Sequence, residues 1–475
     1  MKKSGQKVAY GVIGGIVLAL LIVQAVLMRT KLAYINGWGD ALALSALFAL
    51  AAGGMLVLYV RWEHPDARRT ALVGAFAAAA MLARVAMLDF ITADYNSFLT
   101  LWLKTFREGG FKMLAEKVGD YNLIYQYILL IISKISFIKD LYLIKYVSVV
   151  FDCALALMMM RAAGLYGGQK AKLPVFLLTL VLPTVLLDGA CWGQCDTVYV
   201  FFIVLSLYLL ETDRPMGSAA ALAVSFAFKL QTIFFFPIVL LGLIHKRFNW
   251  KHAVMFFAAY LATLVPAMIA GRSLLSAISV YASQSLGQYY DRLTYNAPNL
   301  YQFFPMLQFM ASRESTWMRY IDGVDPESTN AYLNVPLMTA LQNAALYACV
   351  ALVLIAVIYW LIHYKEVTPQ MTLQMALFFA IFLPFVMPKM HDRYFFIADM
   401  LSVLYAARYP RRRYLPMLVI GASLMSYVPY LMRQMPIDKC EAALMMFAAL
   451  IIVARDLLHQ MRENRAQLAK GGTLV

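Results

Sequence analysis

The chain has 475 residues, of which 62% are hydrophobic and only 14% are charged, and its mean hydropathy is +0.68. Soluble domains typically carry about 25% charged residues, so this composition excludes a water-soluble globular protein. The formal charge is +15 at pH 7. The basic residues form short clusters between apolar runs, a pattern that indicates membrane orientation rather than a nucleic acid partner.

Apolar runs recur along the chain and predict an all-α fold, a polytopic transmembrane helical bundle. A span needs roughly 20 apolar residues, and counting the runs gives about 14 spans. The first run follows three lysines, and we interpret it as a retained span rather than a cleaved signal peptide. The candidate spans are 8–28, 40–60, 70–89, 141–161, 173–187, 193–211, 217–229, 231–244, 252–270, 335–362, 370–387, 394–408, 414–431 and 440–457.

The apolar segment 121–138 decides the orientation of every later loop. If it crosses the bilayer, the clusters Lys246-Arg247 and Arg411–Arg413 lie outside. If it does not cross, they lie inside, together with the N-terminal lysines and the basic C-terminal tail. The tendency of cytoplasmic loops to be positive favours the second arrangement. We therefore predict a multi-pass protein of the plasma (inner) membrane with both termini in the cytoplasm.

The first outer loop begins at Asp89 and contains two predicted amphipathic helices that lie in the membrane interface. The apolar positions of the first helix are Phe98, Leu101, Trp102 and Phe106, and those of the second are Phe111, Leu114, Ala115 and Val118. The two helices frame a pair of acidic residues, Asp94 and Asp120. Asp94 has two interpretations, a chemical role or the cap of a helix that begins near Asn96.

A carboxylate at this depth suits transfer of a sugar from a lipid-phosphate carrier to a hydroxyl group. Such a transfer needs one general base, and a single in-line displacement inverts the sugar carbon. The phosphate leaves as a stable anion, so it needs positive hydrogen-bond donors but no protein acid. In this interpretation Asp94 and Asp120 are the candidate catalytic residues.

Two further outer segments carry polar residues between apolar runs. Trp192, Gln194 and Asp196 either bind sugar hydroxyls or form a polar turn in which Asp196 caps the next helix. Lys229 and Gln231 lie in the sequence Phe-Lys-Leu-Gln between two short apolar runs. A lysine there is expensive in lipid and is a candidate phosphate ligand, unless its side chain extends to the interface.

The last two outer segments suggest a phosphate site and a closing loop. Lys389, His391 and Arg393 lie together in a turn that enters a span, and cations of this kind bind phosphate. The polar and aromatic segment 295–301 suits a loop that closes over a carrier lipid. The predicted sugar- or acceptor-binding residues are Trp192, Gln194, Asp196, Gln231, Tyr295, Asn296 and Asn299.

The order of these pieces resembles the GT-C superfamily of polyprenyl-phosphate-sugar-dependent glycosyltransferases. Within it, the chain is most similar to bacterial proteins related to GPI mannosyltransferase II, and also to dolichyl-phosphate-glucose glucosyltransferases. The resemblance covers residues 70–400. The segments that carry it are Asp94, Asp120-Tyr121-Asn122, Trp192-Gly193-Gln194-x-Asp196, Phe228–Gln231 and Met390–Tyr394. The family commonly has Asp-Tyr-Pro-Pro and Met-His-Glu-Arg-Tyr at the second and last of these.

The resemblance implies an inverting transferase with no metal or other cofactor, in which Asp94 is the general base and Asp120 supports it. Its partners would be a polyprenyl-phosphate-linked sugar, a glycan, lipid or protein acceptor and the bilayer, with the site on the extracytoplasmic side. The predicted domains are a two-span extension (1–69), a GT-C-like catalytic module (70–400), and C-terminal spans with a basic tail (401–475). The alternatives are a lipid-linked glycan flippase or other transporter, and an O-antigen-type polymerase or ligase.

Overall fold

The computed structural model describes residues 2–119, 121–281, 292–304, 335–432, 438–470 and 472. Helices account for 83% of the structure. The α-helices are α1 Lys2–Lys31, α2 Trp38–Glu63, α3 Ala67–Val85, α4 Thr100–Gly109, α5 Leu123–Ser133, α6 Asp140–Gly167, α7 Gln169–Val181, α8 Pro183–Leu186, α9 Asp196–Glu211, α10 Pro215–Phe228, α11 Phe236–Ile244, α12 Trp250–Ile269, α13 Leu274–Ile278, α14 Val335–Ile362, α15 Thr372–Val386, α16 Phe396–Arg408, α17 Leu415–Met432 and α18 Lys439–Ala469.

Shorter elements connect these helices around the candidate site residues. Two π-helical turns cover Tyr95–Leu99 and Leu187–Trp192. Turns of 3₁₀-helix cover Gly110–Ala115, Leu230–Phe235, Leu300–Phe303, Tyr364–Glu366, Pro369–Met371, Asp392–Phe395 and Pro410–Arg412. The strands β1 Thr294–Tyr295 and β2 Met390–His391 form a two-stranded parallel sheet.

The predicted all-helical membrane protein is confirmed, but the predicted number of spans is not. Within the described ranges, eight helices are long and apolar enough to cross a membrane, or nine if the bent pair α7 and α8 makes one span. α1 has 30 residues and is about 45 Å long, more than the roughly 30 Å of the hydrocarbon core. Several other predicted spans are shorter helices, such as α9 with 16 residues and α10 with 14. α5, in the segment that we expect not to cross, has 11 residues.

The chain divides into two compact units. Unit 1 contains Met1–Thr232 and His252–Ala282, and unit 2 contains Ile233–Lys251 and Ser283–Val475. In unit 1, α1 packs against α2 and α3, and α2 packs against α6, so the first two spans are joined to the helices that follow. In unit 2, α15 packs against α16 and α18, and α17 packs against α18. The domain limits at residues 69 and 400 stay predictions.

A buried ion pair joins three helices of unit 1. Arg84 in α3 donates from Nε to Asp152 in α6 at 2.9 Å, and both side chains are 0% exposed. Arg84 also donates from Nη1 to the carbonyl of Leu180 in α7, at 2.9 Å. A charge among apolar helices is costly unless it is paired, so this pair fixes the approach of α3 and α7 to α6.

In the first outer loop, some of the predicted apolar positions are buried and others are exposed. α4 buries Trp102, Leu103 and Phe106, whereas Phe98 and Leu101 are 45% and 60% exposed. The spacing predicts one apolar face that carries Phe98, Leu101, Trp102 and Phe106, but the π-helical turn Tyr95–Leu99 before α4 breaks the regular helical period. Exposed apolar side chains of this kind suit contact with lipid at the interface.

Candidate functional site

Asp94 lies at the centre of a hydrogen-bond network in unit 1. It follows α3 and immediately precedes the π-helical turn Tyr95–Leu99. Its Oδ2 accepts hydrogen bonds from the indole N–H of Trp192 at 3.0 Å and from Nε2 of Gln194 at 2.8 Å. The carboxylate makes no capping bond to the turn that follows, so the interpretation of Asp94 as a helix cap is wrong.

Local backbone geometry explains how Trp192 and Gln194 reach the same oxygen. Trp192 ends the π-helical turn Leu187–Trp192, and Gly193 follows with a left-handed φ of 80°. Glycine adopts this conformation at little cost, whereas a side chain would strain it. The reversal at Gly193 brings the side chains of the residues on either side of it to one carboxylate. π-Helical turns recur at functional sites.

Tyr121 and Thr92 also belong to this network, although neither of them was predicted as a site residue. The Tyr121 hydroxyl donates to Oε1 of Gln194 at 2.8 Å, which orients the Gln194 amide so that its Nε2 faces Asp94. The Thr92 hydroxyl donates to the backbone carbonyl of Trp192 at 3.4 Å. The other predicted catalytic residue, Asp120, lies outside the described residues.

Asp196 and Lys229 form a buried ion pair. Asp196 lies in the first turn of α9, where Cys195 occupies the cap position and its side chain makes no capping hydrogen bond. The Asp196 carboxylate accepts from the Lys229 ammonium, and the two side chains are 1% and 9% exposed. The ammonium also lies 5.6 Å from the ring centre of Tyr199. Asp196 is therefore not a helix cap, and Lys229 forms a buried ion pair rather than extending to the interface. Gln231 is buried as well, at 8% exposure.

In unit 2, the short sheet brings the predicted closing loop and the predicted phosphate turn together. β1 and β2 pair in parallel, with Tyr295 opposite His391. The backbone N–H of Lys389 donates to the carbonyl of Leu293 at 2.8 Å, and the Asn299 side chain donates to the carbonyl of Met387 at 3.5 Å. These contacts place Tyr295, Asn296 and Asn299 beside the turn that carries Lys389, His391 and Arg393.

The second candidate group consists of the segments 293–299 and 387–393. Its side chains make specific contacts. The rings of Tyr295 and His391 stack, with centroids 4.7 Å apart and planes inclined by 12°. The Lys439 ammonium, at the start of α18, donates to Oδ1 of Asn296 at 2.7 Å. Arg393 lies 3.7 Å from the carboxylate of Asp392. Lys439 was not predicted as a site residue, because its position before an apolar run is typical of an ordinary span boundary.

The electrostatics of the second group suit an anionic ligand. Burial lowers the pKa of the Lys389 ammonium from its ordinary value, because it disfavours the charged form, and an anion bound beside the ammonium would stabilise that form again. Lys389 also adopts a left-handed φ of 62°, as does Asn296. Non-glycine residues are uncommon in this region and often mark functional positions.

The described residues contain no cluster of three or more His, Cys, Asp or Glu side chains that could hold a metal ion. The resemblance to the GT-C branches named above implies a metal-independent transfer. The two groups offer an oriented carboxylate in unit 1 and a cationic turn in unit 2.

Comparison with known proteins identifies a family for most of the region that holds these residues. The model of glycosyltransferase family 87 matches residues 120–388, which is more than half of the chain. No curated protein matches.

Proposed function

Since the chain belongs to glycosyltransferase family 87, a family of GT-C-like membrane glycosyltransferases, we propose that it transfers a single sugar from a polyprenyl-phosphate carrier to a hydroxyl acceptor, with inversion at the sugar carbon. The reaction takes place on the non-cytoplasmic face of the plasma membrane, and both termini lie in the cytoplasm. The sidedness rests on the basic clusters, which the positive-inside tendency assigns to the cytoplasm.

The observation that carries this proposal is the environment of Asp94. Its Oδ2 accepts two hydrogen bonds from neutral groups, the Trp192 indole and the Gln194 amide. Carboxylate oxygens accept hydrogen bonds and the indole N–H only donates, so the two bonds fix the orientation of the carboxylate that would serve as general base. In the proposed reaction Asp94 removes the proton from the acceptor hydroxyl as that oxygen attacks the sugar carbon, and Asp120 supports it.

The remaining roles follow from charge and hydrogen-bonding capacity. Lys389, His391, Arg393 and Lys229 bind the phosphate of the donor, which leaves with the electrons of the broken bond. Lys229 already compensates Asp196, so its contact with phosphate requires a partial exchange of partners. The residues that bind the sugar or the acceptor are Trp192, Gln194, Asp196, Gln231, Tyr295, Asn296 and Asn299.

The donor class is the most direct point to test. Purified protein in lipid nanodiscs is incubated with membranes of a deletion strain, as the source of acceptor, and with radiolabelled polyprenyl-phosphate mannose, glucose, galactose or arabinofuranose. We expect transfer of label from one of these donors, with release of polyprenyl phosphate. Transfer from a nucleotide sugar by the purified protein, with none from any of the four lipid donors, would contradict the proposal.

A further inference from the structure

Lys145 is a buried lysine in α6 to which none of the roles above is assigned. Its side chain is 0% exposed. The ammonium donates to the backbone carbonyls of Met87, Leu88 and Phe90 at 2.9, 2.8 and 2.7 Å. An ammonium has three donors, and here all three bind the short turn that leads from α3 to Asp94.

The same turn is held a second time through the side chain of Asp89. Its Oδ1 accepts from the Tyr142 hydroxyl at 2.5 Å, and its Oδ2 accepts from the backbone N–H of Ala33 at 2.9 Å. Tyr142 lies one helical turn before Lys145 on α6, whereas Ala33 belongs to the connection between α1 and α2. The first two spans therefore also contact the turn that precedes Asp94.

One turn beyond Lys145, α6 holds the loop that donates to Asp94. The Ser148 hydroxyl donates to the backbone carbonyl of Gln194. Tyr142, Lys145 and Ser148 are spaced by three residues, so they lie along one side of the helix. A single helical face thus holds both the chain that carries Asp94 and the loop that carries its donors, Trp192 and Gln194.

We infer that Lys145 is a positioning residue for Asp94, and this inference rests on the proposed function. By fixing three carbonyls of the preceding turn, Lys145 sets the distance between the Asp94 carboxylate and the Trp192 and Gln194 donors. It acts through the backbone and does not touch the substrate. A displacement of about 1 Å at a reacting group can cost roughly 10²-fold in rate, so losing this contact lowers kcat without removing any group that binds the donor.

The test compares Lys145→Met, which has similar length but no N–H donors, with wild type in nanodiscs. We expect kcat to fall about 10-fold or more, with the donor KM within about twofold of wild type. Lys145→Arg, which keeps charge and N–H donors, should recover part of kcat. A role in folding alone would lower the amount of folded protein but leave kcat per folded molecule unchanged, and that result would overturn the inference.

Lys172→Met is the matched control. Lys172 pairs with Glu63 at 2.8 Å in the same unit, and their side chains are 15% and 11% exposed. Neither residue contacts the turn at 87–90 or the loop at 192–196 through this pair. Loss of the pair between Lys172 and Glu63 should lower the melting temperature and leave kcat per folded molecule unchanged. A comparable fall of kcat in Lys172→Met would overturn the inference, because destabilisation would then explain both results.

Milder variants keep the inference testable if Lys145→Met does not fold. Tyr142→Phe removes the hydroxyl that binds Asp89, and Ser148→Ala removes the one that binds Gln194. Each should lower kcat about 3- to 10-fold at unchanged donor KM, in line with the loss of one hydrogen bond. Unchanged kcat in both folded variants would refute the inference.

Comparison of Asp94→Asn with these variants distinguishes a failure of the positioning inference from a failure of the role proposed for Asp94. If Asp94→Asn is inactive while Lys145→Met, Tyr142→Phe and Ser148→Ala all keep the wild-type kcat, the positioning inference fails and the proposed function stands. If Asp94→Asn itself keeps the wild-type rate, the general-base assignment fails and the positioning inference fails with it. If the wild-type protein transfers no sugar from any lipid donor, the proposed function fails.

Discussion

The indole N–H of Trp192 donates to Oδ2 of Asp94 at 3.0 Å, across 98 positions of sequence. Because the Gln194 amide donates to the same oxygen, the carboxylate is held from one side by two rigidly placed groups. A general base must lie within hydrogen-bond reach of the proton that it removes. The contact between Trp192 and Asp94 is thus the geometric basis for the role that we propose for Asp94.

Trp192→Phe tests that contact directly. The substitution keeps an aromatic ring but removes the N–H donor, so the carboxylate loses one of its two bonds at Oδ2. We expect the transfer rate per folded molecule to fall about 10-fold, the usual effect of one hydrogen bond to a charged group. The melting temperature should fall as well, because Trp192 is 2% exposed and the smaller ring leaves a cavity. Trp250→Phe is the control, because Trp250 is 71% exposed. Wild-type activity in Trp192→Phe would mean that the indole does not orient the base.

The buried pair of Lys229 and Asp196 allows structural and binding roles to be separated. Lys229→Met leaves Asp196 buried without its cation, which should cost about 3–5 kcal/mol of the free energy of unfolding. The double variant Lys229→Met with Asp196→Asn should recover most of that stability. If Lys229 binds the donor phosphate, the double variant should have a lower donor affinity than wild type even though its stability is restored. Restored stability together with wild-type donor affinity would assign the pair to folding alone.

The pH dependence of donor binding should reflect the charge of the Lys389 ammonium. Burial lowers the pKa of its ammonium, so the charge is present below that pKa and is lost as the pH rises through it, earlier than for an exposed lysine. We expect the donor KM to be constant at lower pH and to rise on the alkaline side. Lys389→Arg should remove this rise, because a guanidinium stays charged. The same alkaline rise in Lys389→Arg and in wild type would exclude Lys389 as its cause.

Substitutions at His391 distinguish its packing against the Tyr295 ring from its proposed binding of the donor phosphate. His391→Phe keeps a ring against Tyr295 but lacks the ring nitrogens, so we expect donor affinity to fall about 10-fold while the melting temperature changes little. His391→Ala should lower both quantities, because it removes the stack as well. Isothermal titration with the polyprenyl-phosphate sugar measures the affinity. Equal affinity in His391→Phe and wild type would show that His391 serves packing only.

Patterns local in sequence predicted the helical membrane architecture and most of the candidate residues. Asp94, the Trp192–Asp196 loop and the Lys389–Arg393 turn each stand out as polar groups beside long apolar runs. The pairing of Trp192 with Asp94 was not predictable in this way, because it depends on how α3 and the π-helical turn at Leu187–Trp192 approach α6. The π-helical turns themselves have no simple periodic signature.

Lys145 shows where another sequence rule would have succeeded, and the pair of Asp196 and Lys229 shows where one failed. Lys145 lies inside the predicted span 141–161, and the cost of a charge in lipid marks such a residue as functional or paired. Applied to Lys145, that rule would have found it. Asp196 and Lys229 were predicted to contact different parts of the substrate, whereas they contact each other. The rule for isolated charges does not identify a partner 33 residues away.

The most direct test of the general-base assignment is the transfer rate of Asp94→Asn, measured in purified protein beside donor binding and melting temperature. Asparagine keeps the size of the side chain but cannot take the acceptor proton at neutral pH. General bases usually supply about 10²-fold or more in rate, so we predict that transfer is abolished while folding and donor affinity stay near wild type. If Asp94→Asn keeps more than about a tenth of the wild-type rate, Asp94 is not the general base.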